Sequence, residues 1–286
     1  MKVKTNVFDY FLFIFILLFV LFVFIPVWYV FVISTSTYEA YINDTFHLIP
    51  KSFTLNEYKR AFLQSQEIMS SLWVTIKVVV FGVITSMAIT LLGGYALSKK
   101  TLPGRSAIIS YLIFTMFFGG GLAPTYILVR GLGITNTILA LILPMAVSTY
   151  NVILVKNFFG TIPESIEESA LIDGANAMQV FALIVLPMST ALIAAISLFY
   201  AVGYYNSYFL AMLYTSSKSL RPFQQYLRSL VIENEQAKTA GISLTPVVFE
   251  QYKMAVIIIG ILPMVIVYPF VQRFFTHGVV MGSIKG

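Results

Sequence analysis

The feature of this sequence that most constrains its fold is a series of apolar segments, each long enough to cross a lipid bilayer. A membrane-spanning helix needs about 20 mostly apolar residues, and the first segment continues through Phe, Leu, Ile and Val from about residue 9 to residue 35. Hydrophobic residues make up 58% of the chain and charged residues 10%, which leaves too little polar surface to coat a soluble protein. The sequence therefore predicts an integral membrane protein.

Six segments have the required length, and they are continuously apolar. Because strands of a membrane barrel alternate apolar and polar residues, continuous segments favour helices. We predict an all-α polytopic membrane protein, one transmembrane domain over residues 1–286 with six transmembrane helices. The first segment is too long for a removable signal peptide and is predicted to be a retained anchor. The predicted spans are about 9–35, 69–98, 106–129, 135–158, 180–213 and 250–272.

Basic residues in the short connections predict the orientation of these spans. Lys99, Lys100 and Arg105 crowd one brief connection, and two further lysines precede the first span on the same side. Lysine and arginine in short loops favour the cytoplasmic side. Both termini are therefore predicted to be cytoplasmic, and the longer loops 36–67 and 214–249 are predicted to lie outside.

The sequence lacks the residue patterns of common catalytic and ligand sites. It has no cysteine, and His47 and His277 are too far apart in the predicted topology to form a metal site. It also lacks the Gly-x-x-x-x-Gly-Lys-Ser/Thr segment that holds nucleotide phosphates, and no span pairs a carboxylate with a second carboxylate or a histidine. We therefore predict no enzyme activity, no catalytic residue, no metal and no cofactor in this chain. The basic residues border the spans and form no aromatic-rich patch, which argues against nucleic-acid binding.

A polar segment after the fourth predicted span, residues 161–178, predicts a bent pair of short helices on the cytoplasmic side. Thr161 is positioned to cap the first helix, with Glu164 reaching back to the amide of Thr161. Gly174 permits a sharp turn, and Pro187 predicts a kink near the start of the fifth span. The first helix also has an apolar face. Its residues are Ile162, Ile166, Ala170, Leu171 and Ala175.

Four acidic residues lie in this segment, on the side where lysine and arginine are expected. The one base nearby in the sequence is Lys156. A basic pocket on a partner protein would explain the acids. The alternative is a solvated amphipathic loop, because acidic residues have little influence on topology. The four acids are Glu164, Glu167, Glu168 and Asp173.

This segment resembles the cytoplasmic loop shared by the permeases of bacterial ABC importers. That loop has the form Glu-Ala-Ala, two residues, Asp-Gly-Ala and a later Ile-x-Leu-Pro. Ser169 replaces the first alanine here, and a small residue is retained. The matching residues are Glu168, Ala170, Asp173, Gly174, Ala175, Ile184, Leu186 and Pro187.

Nearly the whole chain resembles the MalG-like permeases of carbohydrate importers, and within them the permeases for complex oligosaccharides or polysaccharide fragments. These proteins have six spans and place the shared loop between spans four and five. The segments that support the resemblance are Phe53–Tyr58, Lys99–Arg105, Ala123–Tyr126 and Tyr268–Gly278.

The resemblance implies a permease subunit of a bacterial cell membrane that carries a carbohydrate, in particular an oligosaccharide. Its implied partners are a second permease, two ATPase subunits that bind ATP and Mg, and an extracytoplasmic solute-binding protein that meets loops 36–67 and 214–249. Closure of the ATPases would switch the cavity between inward-facing and outward-facing states. The residues implied in ATPase coupling are Glu168, Ser169, Ala170, Asp173, Gly174 and Ala175.

The glycine-rich C-terminal tail, residues 276–286, suits an extended segment that approaches another backbone closely. The resemblance implies that this tail reaches between the ATPase subunits. The alternative is a frayed terminus. The residues implied in this contact are Met281, Gly282, Ser283, Ile284, Lys285 and Gly286.

The fifth span offers polar and aromatic residues along one helical face. Ser197, Tyr200 and Tyr204 are spaced by three and four positions, and Asn206 lies nearby. Aromatic rings and hydroxyl groups suit a sugar pathway, and the alternative is packing between helices or an aromatic belt. Lys77 in the second span either faces the substrate cavity or extends its side chain to the membrane surface.

Two glycine clusters, Gly93-Gly94 and Gly119-Gly120-Gly121, predict close helix packing or bends. No gate is predicted from them. The competing function is a secondary transporter driven by an ion gradient, which would carry ionisable residues in mid-span and often an inverted repeat. Neither feature is apparent in the sequence.

Overall fold

The computed structural model describes residues 7–239 and 246–282 of the chain. The secondary structure in these ranges is helical, and extended backbone is paired at one isolated bridge, between Ser36 and Phe53. This result confirms the predicted all-α class. The helices are α1 (Val7–Ser34), α2 (Tyr38–Asn43), α3 (Asn56–Lys59), α4 (Gln66–Ser98), α5 (Arg105–Phe117), α6 (Leu122–Gly131), α7 (Ile138–Ile142), α8 (Thr149–Phe159), α9 (Glu164–Ile172), α10 (Ala177–Val180), α11 (Leu186–Met188), α12 (Thr190–Tyr205), α13 (Tyr208–Tyr214), α14 (Phe223–Thr239) and α15 (Pro246–Gly282).

Three helices in the described residues are long and apolar enough to span a membrane alone. They are the segments Phe8–Ser34 of α1, Gln66–Ser98 of α4 and Glu250–Phe270 of α15. Three further pairs qualify only when the two members are taken together. The described chain therefore has three to six spans, depending on whether each pair crosses the membrane as one unit.

The three helix pairs are bent, where the sequence predicted continuous spans. The angles are 116° between α5 and α6, 53° between the segment Ile138–Met145 and α8, and 85° between the segment Ala177–Met188 and α12. At the first bend Gly121 has a φ of 79°, which favours glycine. Pro144 and Pro187 lie just before the other two bends, where a missing N–H weakens the helix.

Contacts within the chain divide it into two compact units. One unit contains the residues up to Met69 together with Leu227–Pro263, and the other contains Ser70–Tyr226 and the residues from Met264 onward. In the first unit the predicted outer loop 36–67 contains α2 and α3. Its start is fastened by a 2.7 Å hydrogen bond between the hydroxyls of Ser34 and Tyr58.

The second unit has an apolar core formed by α4, α7, α8, α10, α12 and the helical turn 181–185. Its largest fully buried side chains include Leu141, Val155, Val185 and Ile196. Helices approach closely where α4 carries glycine, because a Cβ atom on Gly94 would lie 2.5 Å from the Cγ1 atom of Val155. Small residues permit this approach between helices in lipid.

Candidate functional site

Helix α9 begins without a side-chain cap. Its N-cap is Pro163, and the hydroxyl of Thr161 donates a 2.7 Å hydrogen bond to the carbonyl of Phe158. The prediction that Thr161 caps α9 with Glu164 is therefore wrong. Thr161 belongs to the turn that closes α8, since its backbone N–H also donates to the Phe158 carbonyl, and its hydroxyl is used there.

Helix α9 ends in a tight turn centred on glycine. Gly174 has a φ of 90°, and its N–H donates to the carbonyl of Leu171. The N–H of Ala175 donates to the carbonyl of Ala170 at 3.0 Å. These two bonds are the pattern in which a left-handed residue satisfies the last carbonyls of a helix. The predicted sharp turn at Gly174 is thus present.

Helix α10 begins directly after this turn with a reciprocal cap. The side chain of Asn176 accepts from the N–H of Gln179 at 2.9 Å, and the side chain of Gln179 accepts from the N–H of Asn176 at 2.8 Å. This pairing satisfies two donors at the start of the helix. The segment therefore contains the two short helices that the sequence predicted.

One side of α9 is fastened to the end of α4. Glu167 is 9% exposed, and its Oε2 atom accepts a 2.9 Å hydrogen bond from the hydroxyl of Tyr95 and forms an ion pair with Lys99. The Lys99 ammonium also lies 4.4 Å from the centre of the Tyr95 ring. That ring packs against Phe159 and Phe181, at centroid distances of 6.1 and 4.9 Å.

A second ion pair joins the same two regions at the surface. Lys100 Nζ lies 3.3 Å from Glu164 Oε1, and their side chains are 82% and 73% exposed. Lys156, the base nearest to these acids in the sequence, donates instead to the side chain of Asn157 at 3.0 Å. The bases that pair with α9 come from the connection between α4 and α5, which is distant in sequence. The sequence analysis used Lys99 and Lys100 only to predict topology, and it did not identify Tyr95 as a partner of α9.

A cavity of about 610 Å³ lies beside α9 and is lined by residues from the end of α4, the start of α5, the end of α8, α9 and α10. Its basic lining residues are Lys99, Lys100, Arg105 and Lys156. Within the part of the chain that the structure describes, no group of three His, Cys, Asp or Glu residues could hold a metal ion. The cavity thus has a strongly charged lining beside α9.

Four residues in the second half of α9 and at its C-cap are exposed, namely Glu168, Leu171, Ile172 and Asp173. Ile172 is 86% exposed, and Glu168 and Leu171 also line the cavity beside α9. We call these four residues the docking face. Of the other residues implied in coupling, Ser169 and Gly174 are exposed, whereas Ala170 and Ala175 pack against the apolar core.

The predicted sugar pathway on α12 is mostly interior. Tyr204 is 1% exposed, and its hydroxyl lies 2.8 Å from the Ser86 hydroxyl and 3.1 Å from the Ile142 carbonyl oxygen. The hydroxyl of Tyr200 lies 2.7 Å from that of Thr90 and accepts from the N–H of Ser148 at 3.1 Å. These contacts favour helix packing over sugar binding for both tyrosines.

The other residues of the predicted pathway are not gathered into one cavity. Lys77 and Asn206 are exposed, and Ser197 is half-buried. A second cavity of about 550 Å³ is lined in part by Tyr200, and its lining contains none of Lys77, Ser197, Tyr204 and Asn206. Substrate contact by Lys77, Ser197 and Asn206 stays a prediction.

The C-terminal region is helical where the sequence predicted an extended tail. Helix α15 continues to Gly282, so an extended backbone from 278 to 282 is wrong. Glycine residues there did not prevent a helix that is propagated from a long apolar segment. Residues 283–286 lie outside the described residues, and the contact of 281–286 with an ATPase stays a prediction.

Known proteins of similar sequence and structure decide the family. The chain is 41% identical over 288 residues to the polygalacturonan/rhamnogalacturonan transport system permease protein YtcP of Bacillus subtilis (strain 168), covering 99% of this chain and 100% of that protein. It also matches the crystal structure of a bacterial ABC transporter involved in the import of the acidic polysaccharide alginate, with a TM-score of 0.85 and 31% identity, over 96% of this chain and 100% of that chain. This chain belongs to the permeases of ABC carbohydrate importers.

The same family includes a further relative of similar length. Protein LplC of Bacillus subtilis (strain 168) is 39% identical over 263 residues, covering 91% of this permease and 89% of LplC. No protein-family profile matches the chain. The resemblance seen in the sequence is confirmed. The permease is an integral membrane transport protein and not an enzyme, and a secondary transporter driven by an ion gradient is not favoured.

Proposed function

We propose that the docking face of α9 sits in a cleft of a separate ATPase subunit and carries its motion into the permease. The observation that carries this proposal is the exposure of Ile172, which is 86% exposed on a surface helix. Burying such a side chain stabilises a complex by about 1.5 to 3 kcal/mol relative to leaving it in water. Glu168 and Ile172 are four positions apart and share one face of α9, so one cleft can receive both.

The charge of the docking face indicates what the cleft must provide. Glu168 and Asp173 are exposed and have no ion-pair partner among the described residues. A basic residue in the cleft would pair with Glu168, and Gly174 lets the chain turn away from the cleft directly after the helix. Ser169, Ala170 and Ala175 are small and allow the helix to approach both the core and the partner.

The complete importer in this proposal contains the permease, a second permease, two ATPase subunits that bind ATP and Mg, and an extracytoplasmic binding protein. The termini and α9 are cytoplasmic, which is supported by the positions of Lys99, Lys100, Arg105 and Lys156 around one cavity beside α9. Clustered basic residues favour that side of the membrane. Loops 36–67 and 214–249 then face the binding protein.

The substrate in this proposal is an acidic oligosaccharide. The name of YtcP specifies polygalacturonan and rhamnogalacturonan, and the matching importer structure takes up the acidic polysaccharide alginate. Lys77 is an exposed base well inside the span formed by α4, where a cation can meet a sugar carboxylate in a water-filled path.

Variants at Ile172 test the docking of α9. Ile172→Glu places a charge in the apolar contact, whereas Ile172→Leu keeps the volume and serves as the matched control. Both variants are expressed with the ATPase subunits and purified from membranes in mild detergent. We expect the ATPase to copurify with wild type and Ile172→Leu but not with Ile172→Glu. Equal recovery in all three would contradict docking through this face.

A further inference from the structure

Glu167 differs from the other acids of α9 in its surroundings. Glu164 and Glu168 are exposed, whereas the Glu167 carboxylate is buried and contacts Tyr95 and Lys99 at the end of α4. A buried carboxylate is tolerated only when charged or hydrogen-bonding groups satisfy it. The contact therefore has a defined geometry, which a solvent-exposed pair of long side chains lacks.

Besides the exposed Lys100–Glu164 pair and the packing of Ala170 against the core, two backbone connections join α9 to its neighbours in the chain. Residues 160–163 lead into the helix, and the turn at Gly174 leads out of it. Neither is a rigid continuation of a helix, because Pro163 is the non-helical N-cap of α9 and Gly174 adopts a left-handed conformation. Glu167 joins α9 to the end of α4 through side-chain contacts, independently of both backbone connections.

The link leads to a helix that is itself joined to the core. On the N-terminal side of Tyr95, α4 packs through Gly94 against α8. The hydroxyls of Ser86 and Thr90 form hydrogen bonds with those of Tyr204 and Tyr200 in α12. These packed contacts are the route by which a displacement of the end of α4 would reach α8 and α12. Packed interfaces shift as units and do not deform continuously.

We propose that Glu167 is a positioning residue that fastens α9 to the end of α4, so that movement of the docking face is passed into this span. The proposal rests on the docking of α9 to an ATPase. Without the link, an ATPase would still bind the docking face, and α9 would turn about residues 160–163 and Gly174 without moving α4. ATP would be hydrolysed with less sugar transported.

The chain offers a matched pair of variants for this proposal. Lys99→Gln removes the base that pairs with the buried Glu167 carboxylate, and Lys100→Gln removes the base of the exposed pair between the same regions. Exposed pairs contribute little, whereas loss of Lys99 leaves the buried Glu167 charge without its counter-charge. The double variant Lys99→Glu with Glu167→Lys restores the pair with reversed charges and tests whether the contact itself matters.

The measurement is the ratio of sugar transported to ATP hydrolysed by the complete importer in proteoliposomes, together with the amount of ATPase that copurifies with each variant. We expect Lys99→Gln to lower the ratio by about 5-fold or more, the lower limit of typical coupling between sites, while ATPase recovery stays at the wild-type level. Lys100→Gln should keep the wild-type ratio. The charge-reversed double variant should recover more of the ratio than either of its single variants.

Four results would overturn the proposal. Equal ratios for Lys99→Gln and Lys100→Gln would show that the buried link carries no motion. Loss of ATPase from Lys99→Gln, or failure of that variant to insert while the double variant shows no recovery of the ratio, would assign Glu167 to folding or docking support. Absence of ATPase from the wild-type preparation would instead remove the proposed docking, and this proposal with it.

Discussion

Gly82 lies directly against the ring of Tyr204. A Cβ atom on Gly82 would be 2.7 Å from two carbon atoms of that ring. The ring is 1% exposed, and its hydroxyl is held by hydrogen bonds to the Ser86 hydroxyl and the Ile142 carbonyl, which oppose a shift of the ring. We predict that Gly82→Ala destabilises the permease by about 1 to 3 kcal/mol, the usual cost of overpacking a core. Thermal unfolding in detergent measures this change.

Gly93 provides the control for this substitution. It lies on the same helix, and an added Cβ atom would meet nothing within 4 Å. Gly93→Ala should raise the unfolding temperature slightly or leave it unchanged, because alanine favours a helix over glycine. If Gly82→Ala and Gly93→Ala unfold at the same temperature, the close approach of α4 and α12 at Gly82 is not required for stability.

The hydroxyl of Tyr204 gives a prediction that separates packing from sugar binding. Tyr204→Phe leaves the Ser86 hydroxyl and the Ile142 carbonyl without this partner inside the unit, which costs about 1 to 3 kcal/mol of stability. The KM for sugar uptake should not change, since the ring is buried and has no surface for a substrate. A large rise in KM with unchanged stability would show that Tyr204 binds the sugar. Uptake assays and thermal unfolding of the same preparations supply both values.

The spans were predictable where apolar residues run without interruption. The predicted spans 9–35 and 69–98 match α1 and α4 to within a few residues. The angles of the bends were not predictable, although Gly121 and Pro187 were recognised as points of turning. Glycine and proline permit a bend, but the angle of 116° between α5 and α6 depends on packing with the rest of the chain.

The candidate site was predicted in its local part and missed in its long-range part. The short helices and the Gly174 turn follow from residues that are neighbours in the chain. The contact of Glu167 with Tyr95 and Lys99 joins positions that are 72 and 68 residues apart. No periodic pattern in a sequence relates residues across such distances. The sequence therefore indicated four similar acids and could not identify Glu167 as the buried one.

The turn at Gly174 predicts a backbone effect on coupling. Its φ of 90° disfavours residues with a Cβ atom, and the space around it is open, so the effect of a substitution comes from the backbone alone. We expect Gly174→Val to cost about 1 to 2 kcal/mol in this conformation and to lower ATP-driven uptake. Gly174→Asn should be milder, because asparagine tolerates left-handed backbone better than other residues. Both variants should insert into the membrane as wild type does. Equal uptake by Gly174→Val and Gly174→Asn would contradict a backbone cause.

Lys77 predicts how the permease distinguishes acidic from neutral oligosaccharides. If its ammonium meets a sugar carboxylate, Lys77→Gln should raise the KM for an oligogalacturonate about tenfold or more, since a hydrogen bond to a charged group contributes about 1.5 to 3 kcal/mol. Lys77→Arg keeps the charge and should retain most of the affinity. Uptake of a neutral oligosaccharide of similar length, where it is transported at all, should be unaffected by either change. The binding protein must be saturated in these assays, so that the KM reports the permease and not capture of the substrate outside. A Lys77→Gln variant with wild-type KM for the acidic sugar would place Lys77 at the lipid surface, where a long basic side chain extends towards the headgroups.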